Sequence, residues 1–108
     1  CMVMGTASTM AILIEAMGLS LPNSACIPAP HAERLRCGEA SGKVAVALAT
    51  GGGPRPRALV TRASVRNAMV LLQATGGSTN GLVHLTAIAG RAGITLDLAE
   101  FDRIGREV

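Results

Sequence analysis

Cys1, the turn Gly5-Thr6-Ala7-Ser8-Thr9 and the apolar run Met10–Met17 stand in direct succession at the head of the sequence. The order makes chemical sense. A loop delivers a soft sulfur beside the start of a helix, whose unpaired N–H groups and dipole favour negative charge, a thiolate included. The plain alternative is a buried structural cysteine ahead of a core helix, since a free thiol packs as a small hydrophobe. A second stretch, Gly76-Gly77-Ser78-Thr79-Asn80, sets two glycines before another helix start. Exposed backbone N–H groups there, with the side chains of Ser78, Thr79 and Asn80, suit a carboxylate or phosphate. Its plain alternative is a serine-capped helix after a tight turn.

Other groups with chemical potential read as bystanders. Cys26 lies in a proline-rich stretch and Cys37 in a helical one, and no Cys-x-x-Cys occurs. His31 and His84 have no partner at metal-ligand spacing. Gly51-Gly52-Gly53 beside Arg55 and Arg57 has the composition of a phosphate cradle. It lacks the Gly-x-x-x-x-Gly-Lys-Ser/Thr pattern, so it reads as an exposed loop or hinge.

The elements that must carry these residues are drawn from an unusual composition. Of 108 residues 49% are hydrophobic, yet Phe101 is the one aromatic among Phe, Trp and Tyr. The core must come from Ala, Val, Leu, Ile and Met. Such a supply suits a single domain that expects more protein against it, so the whole of 1–108 is read as one partial domain. A net charge of +3 is spread over scattered arginines, with no basic block interleaved with aromatics, which argues against a nucleic-acid surface. The longest apolar run falls well below the roughly 20 residues that cross a bilayer. Three cysteines leave any disulfide scheme with an odd thiol, and a reducing, cytoplasmic setting accounts for that most simply.

Periodicity predicts a mainly α chain of about five helices. The first spans Ser8–Met17, capped by Ser8 or Thr6, stopped by Gly18 and buried on nearly every side. Pro22, Pro28 and Pro30 keep the next stretch irregular. A second helix covers His31–Ala49, where Gly38 and Gly42 either weaken it or admit a neighbouring backbone. Val65, Ala68, Met69 and Leu72 follow the i, i+3, i+4, i+7 pattern of a third helix capped by Thr61 or Ser64, with Arg62 and Arg66 on its solvated face. A fourth runs from Ser78 to Ala92 with Leu82, Leu85 and Ala89 inward. Asp97 and Glu100 read as a capping box opening a fifth, which aligns Phe101, Ile104 and Val108. Ile94–Leu96 is the best candidate for a strand.

The motifs also resemble a known family. Cys-x-x-Met-Gly-Thr-Ala-Ser-Thr-Met over positions 1–10, then Glu15-Ala-Met-Gly-Leu-Ser-Leu-Pro22, is similar to the dihydroxy-acid dehydratase and phosphogluconate dehydratase family. Asn67-Ala-Met69 with Gly76–Asn80, and Val83-His-Leu85 followed by Asp102-Arg-Ile104, agree in order. The Gly-Thr-Ala-Ser-Thr turn most resembles the sugar-acid branch, which dehydrates an aldonate to a 2-keto-3-deoxy acid. The nearer enzyme alternative is dihydroxy-acid dehydratase of branched-chain amino-acid synthesis, whose turn more often reads Thr-Ala-Asn. A non-catalytic helical interaction module is the alternative outside enzymes.

The resemblance implies that this stretch is helical cladding in an N-terminal α/β/α domain and an internal fragment of a longer enzyme. It implies that Cys1 is one of three cysteines holding a [2Fe–2S] cluster, while neither Cys26 nor Cys37 stands at a ligand position. Mg²⁺, its carboxylate ligands and the catalytic serine belong to parts of the parent outside these residues, so no catalytic residue is assigned within the chain. Ser78, Thr79 and Asn80 become candidates for binding substrate. The implied partners are a small sugar acid, the rest of the parent enzyme and further copies in a dimer or tetramer, with neither nucleic acid nor membrane.

Overall fold

The computed structural model describes residues 3–108. Among them are six helices and no strand: α1 (Thr6–Ala16), α2 (Ala32–Thr50), α3 (Pro56–Leu59), α4 (Arg62–Ala74), α5 (Thr79–Arg91) and α6 (Leu98–Glu107). The mainly α expectation holds. The extra element is α3, a single turn that opens at Pro56, where the fixed φ of proline suits the first helical position. Ile94–Leu96 is an extended connection without a strand partner among the described residues.

Helix α4 is the hub, packing against α1, α5 and α6, while α1 also packs on α5. Its buried residues are the expected Val65, Ala68, Met69 and Leu72. They meet Leu13 and Met17 of α1, Leu85 and Ala89 of α5, and Phe101 and Ile104 of α6 in one continuous core. The start of α4 is fixed by a reciprocal cap: Thr61 Oγ1 accepts from Ser64 N at 3.1 Å, and Ser64 Oγ accepts from Thr61 N at 2.9 Å. Serine here takes the part usually given to glutamate or glutamine at the third helical position. At α6 only half of the expected box forms. Asp97 Oδ1 accepts from Ala99 N at 3.0 Å, whereas Glu100 turns aside to Arg62 of α4 at 3.6 Å. Arg62 and Arg66 are therefore not idle on a solvated face, because Arg66 also reaches Glu107 at 4.0 Å. Exposed pairs of this kind contribute about 0–1 kcal/mol each, so they guide α6 onto α4 more than they hold it.

Three expectations need correction. α1 begins two residues early, with Gly5 as its cap and Ser8 inside the first turn. It is fully buried only along Thr9, Leu13 and Met17, one stripe rather than all sides. The last helix buries Phe101 and Ile104, while Val108 stays 57% exposed just beyond it. On α5 the expected Leu85 and Ala89 are buried and Leu82 packs partly buried against the same core, with Gly81 added to the buried stripe.

After α1, Gly18 adopts φ +77° and ends the helix as expected. The proline-rich segment then folds back over α1. Glu15 holds it by accepting from Asn23 N at 2.5 Å and Ala25 N at 2.8 Å. Helix α2 is different in kind. None of its residues is buried, and a side chain added at Gly38 or Gly42 would meet open space. These glycines admit no neighbouring backbone among the described residues.

Candidate functional site

The two stretches singled out in the sequence lie against each other. Gly76–Asn80 links α4 to α5, and Gly5–Thr9 forms the start of α1. The join is made at Thr9, whose side chain is 0% exposed. Thr9 Oγ1 accepts a hydrogen bond from Ser78 N at 2.9 Å. Ser78 is the cap of α5, so its N–H lies outside the helical ladder and needs an acceptor from elsewhere. The methyl of Thr9 fills the space left by two missing side chains. A Cβ placed on Gly77 or on Gly81 would sit 2.9 Å from Thr9 Cγ2 in each case. That close approach is why Gly81 occupies the inner face of α5.

A more exposed layer of polar contacts lies above this. Asn80 Nδ2 donates to Thr6 Oγ1 at 2.8 Å, and Thr6 Oγ1 and Ser78 Oγ stand 3.5 Å apart. Ser78 Oγ also accepts from Asn80 N at 3.3 Å, which is the helix cap read from the sequence. Thr79 is exposed at the first position of α5. The starts of α1 and α5 are thus neighbours, and neither has an acidic residue in its first turn. Unpaired N–H groups and two partial positive ends favour an anion in this region.

Of the predicted site residues, Ser78, Thr79 and Asn80 are brought together at this join. Cys1 lies outside the described residues. Cys26 is exposed in the proline-rich segment and Cys37 half-buried on α2, both as free thiols. His31 caps α2 by position alone, without a side-chain bond to the helix, and His84 is exposed on α5. Among the described residues no three His, Cys, Asp or Glu side chains gather to hold a metal ion.

Thr6 and Thr9 are the residues that sequence reasoning missed as members of the site. The signal for Thr9 was its place four residues before Leu13 and eight before Met17, the stripe that α1 buries. The complementary signal was the pair Gly77 and Gly81, spaced one turn apart to receive a side chain.

The comparisons with known proteins follow the same motifs. The family model described as "Dihydroxy-acid/6-phosphogluconate dehydratase N-terminal" matches residues 1–108. The putative dehydratase IlvD1 of Rhizobium meliloti is 47% identical over 108 residues, which is 100% of this chain and 19% of that protein. A dihydroxy-acid dehydratase of Parvibaculum lavamentivorans is 52% identical over 99 residues, 92% of this chain and 17% of its own length. That of Pyrobaculum calidifontis is 50% identical over 108 residues, 100% of this chain and 19% of its own. The chain therefore spans about a fifth of the length of these relatives. It belongs to the dihydroxy-acid/6-phosphogluconate dehydratase family, within the N-terminal region that defines it.

Proposed function

We propose that the protein containing this chain is a hydro-lyase acting on a 2,3-dihydroxy carboxylic acid. Loss of the C2 proton and the C3 hydroxyl as water leaves an enol, which tautomerises to a 2-keto acid. The substrate we favour is a branched dihydroxy acid of amino-acid synthesis. The observation that carries this reading is identity of 50% across the whole chain to a protein named dihydroxy-acid dehydratase. The sugar-acid reading rests on the Gly5–Thr9 turn alone and becomes the second choice.

The chain's own part in that reaction is to bind and orient. Thr79, beside the capped Ser78 and the Thr6–Asn80 pair, offers a hydroxyl at an anion-favouring helix end, suited to the substrate carboxylate. Cys1 is the residue of this chain that would hold an iron–sulfur cluster, since a thiolate is the natural ligand for one. When bound, the cluster and Mg²⁺ supply Lewis acidity toward the leaving hydroxyl and the carboxylate. The hydroxyls and amide at the α1–α5 join are too few and too hard to hold iron, so ligands beyond Cys1 must come from the rest of the parent. The partners proposed are the small acid, the remainder of that enzyme and further copies of it in a dimer or tetramer, working in the cytoplasm.

Purified full-length enzyme, offered a branched 2,3-dihydroxy acid and a pentonate in parallel, tests the proposal through 2-keto acid formation and the visible absorption of the protein. Turnover of the branched acid with a brown chromophore is expected. Preference for the pentonate would restore the sugar-acid reading, and a colourless protein inert toward both would favour an interaction module.

A further inference from the structure

We infer that Thr9 is a positioning residue for the dehydration, its hydroxyl setting the orientation of the α5 start through the Ser78 amide. The inference rests on the function proposed above. Thr9 does two separable jobs with two parts of one side chain. The oxygen accepts from Ser78 N at 2.9 Å, and the methyl lies in the notch formed by Gly77 and Gly81. The side chain is wholly buried, so it does not itself present the hydroxyl to a dissolved substrate. Its influence must pass through Ser78, which caps α5 and stands directly before the exposed Thr79.

The geometry makes the oxygen the orienting part. Nothing in α5 itself can take the Ser78 N–H, because that amide lies before the first helical turn. With Thr9 as acceptor, the cap is held to α1 over a separation of 69 residues. The contacts between Asn80, Ser78 and Thr6 at the more exposed edge depend on that alignment. The methyl contributes packing. A Cβ on Gly81 would also lie 3.0 Å from Leu72 Cδ1 and 3.3 Å from Leu13 Cδ1, so the notch that holds the methyl is closed by core side chains. Serine keeps the acceptor and loses the methyl. Valine keeps the shape and loses the acceptor.

The test uses full-length enzyme carrying Thr9→Val or Thr9→Ser, with KM, kcat per folded molecule and the thermal midpoint measured for each. Both variants should lower the midpoint, one through an unsatisfied buried amide and the other through a cavity. Only Thr9→Val should raise KM, by about fivefold or more, with kcat within about twofold of the parent, as expected for loss of binding rather than of transition-state contacts. Thr9→Ser should keep the parental KM. Equal KM in all three proteins, or an equal rise in both variants, overturns the positioning role and leaves Thr9 as packing. If Thr9→Val does not fold, Thr9→Ala, which loses both acceptor and methyl, takes its place beside Thr9→Ser: a KM raised in Thr9→Ala and parental in Thr9→Ser supports the inference, and equal KM in the two overturns it. Parent enzyme that dehydrates neither acid overturns the functional reading itself, an outcome separate from unchanged KM in an active enzyme.

Discussion

Asn80 Nδ2 donates to Thr6 Oγ1 at 2.8 Å across 74 residues of sequence, joining the starts of two helices at their exposed edge. The amide of Asn80 and the hydroxyl of Thr6 are thereby already committed to each other. Among the residues predicted to bind substrate, Thr79 is the one left exposed at the helix start with no hydrogen bond to another described side chain. That difference sorts the three candidates and directs the first prediction.

Thr79→Val in the full-length enzyme should raise KM and leave the cluster spectrum unchanged. A hydroxyl bonded to a charged carboxylate contributes roughly 1–3 kcal/mol, so the rise should be clear of assay error. Steady-state kinetics and visible absorption on the same preparation check it. Unaltered kinetics would return Thr79 to an ordinary helix start.

Two glycine-to-alanine changes should have opposite signs. At Gly81 a methyl would meet Thr9 Cγ2 at 2.9 Å and Leu72 Cδ1 at 3.0 Å, both in the packed core. The overpacking cost of about 1–3 kcal/mol exceeds the gain in helix propensity of about 1 kcal/mol. Gly42→Ala meets open space and should collect that gain alone. Thermal midpoints of the two variants in the full-length enzyme, followed by circular dichroism, should move apart: lower than the parent for Gly81→Ala, equal or higher for Gly42→Ala.

The three cysteines should separate by iron content. Cys1→Ser in the full-length enzyme replaces a soft thiolate by a hard, weakly acidic hydroxyl, and should strip the cluster and abolish dehydration. Cys26→Ser and Cys37→Ser alter free thiols on an exposed loop and on α2, and should leave iron and turnover near the parental level. Iron analysis of the three proteins reads the contrast, and full iron in the Cys1 variant would sink the assignment.

The 108 residues expressed alone should be inactive and should associate. The reason lies in α2 rather than in α1. Leu35, Val46 and Val44 are 80%, 63% and 42% exposed on α2. A groove of about 550 Å³ runs beside it, lined by Leu19, Leu21, Val44, Leu48, Pro54 and Leu59. Exposed apolar surface of this extent drives self-association. Light scattering should show oligomers that Val46→Glu shifts toward monomer; a monomer peak for the unaltered chain would contradict the prediction.

What could be read from the sequence was whatever is local. The α4 stripe, the Gly18 stop, the Ser78 cap and the helical character of most of the chain depend on neighbours a few residues away. The join between Thr9 and Ser78 does not. Thr9 is polar and sits in a turn-like string of small residues, so local rules give it no place in the core, and only the distant Gly77–Gly81 notch makes burial favourable. The same holds for Glu100, which local spacing gives to the α6 cap and tertiary structure gives to Arg62. In α2 local spacing left open whether Gly38 and Gly42 admit a neighbouring backbone, and only the tertiary structure shows open space beside both.

The long reach of the Thr9–Ser78 bond also fixes an order of events during synthesis. α1 leaves the ribosome before α4, α5 or α6 exists. Leu13 and Met17 cannot meet their core neighbours until α4 is made, and Thr9 has no amide to accept until Ser78 follows. Helices α4, α5 and α6 are close in sequence and can pair early, whereas docking α1 must close a long loop first. The nascent chain therefore carries α1 as the last of the packed helices to find its place, and the interval before it docks is when its apolar stripe is open to wrong partners.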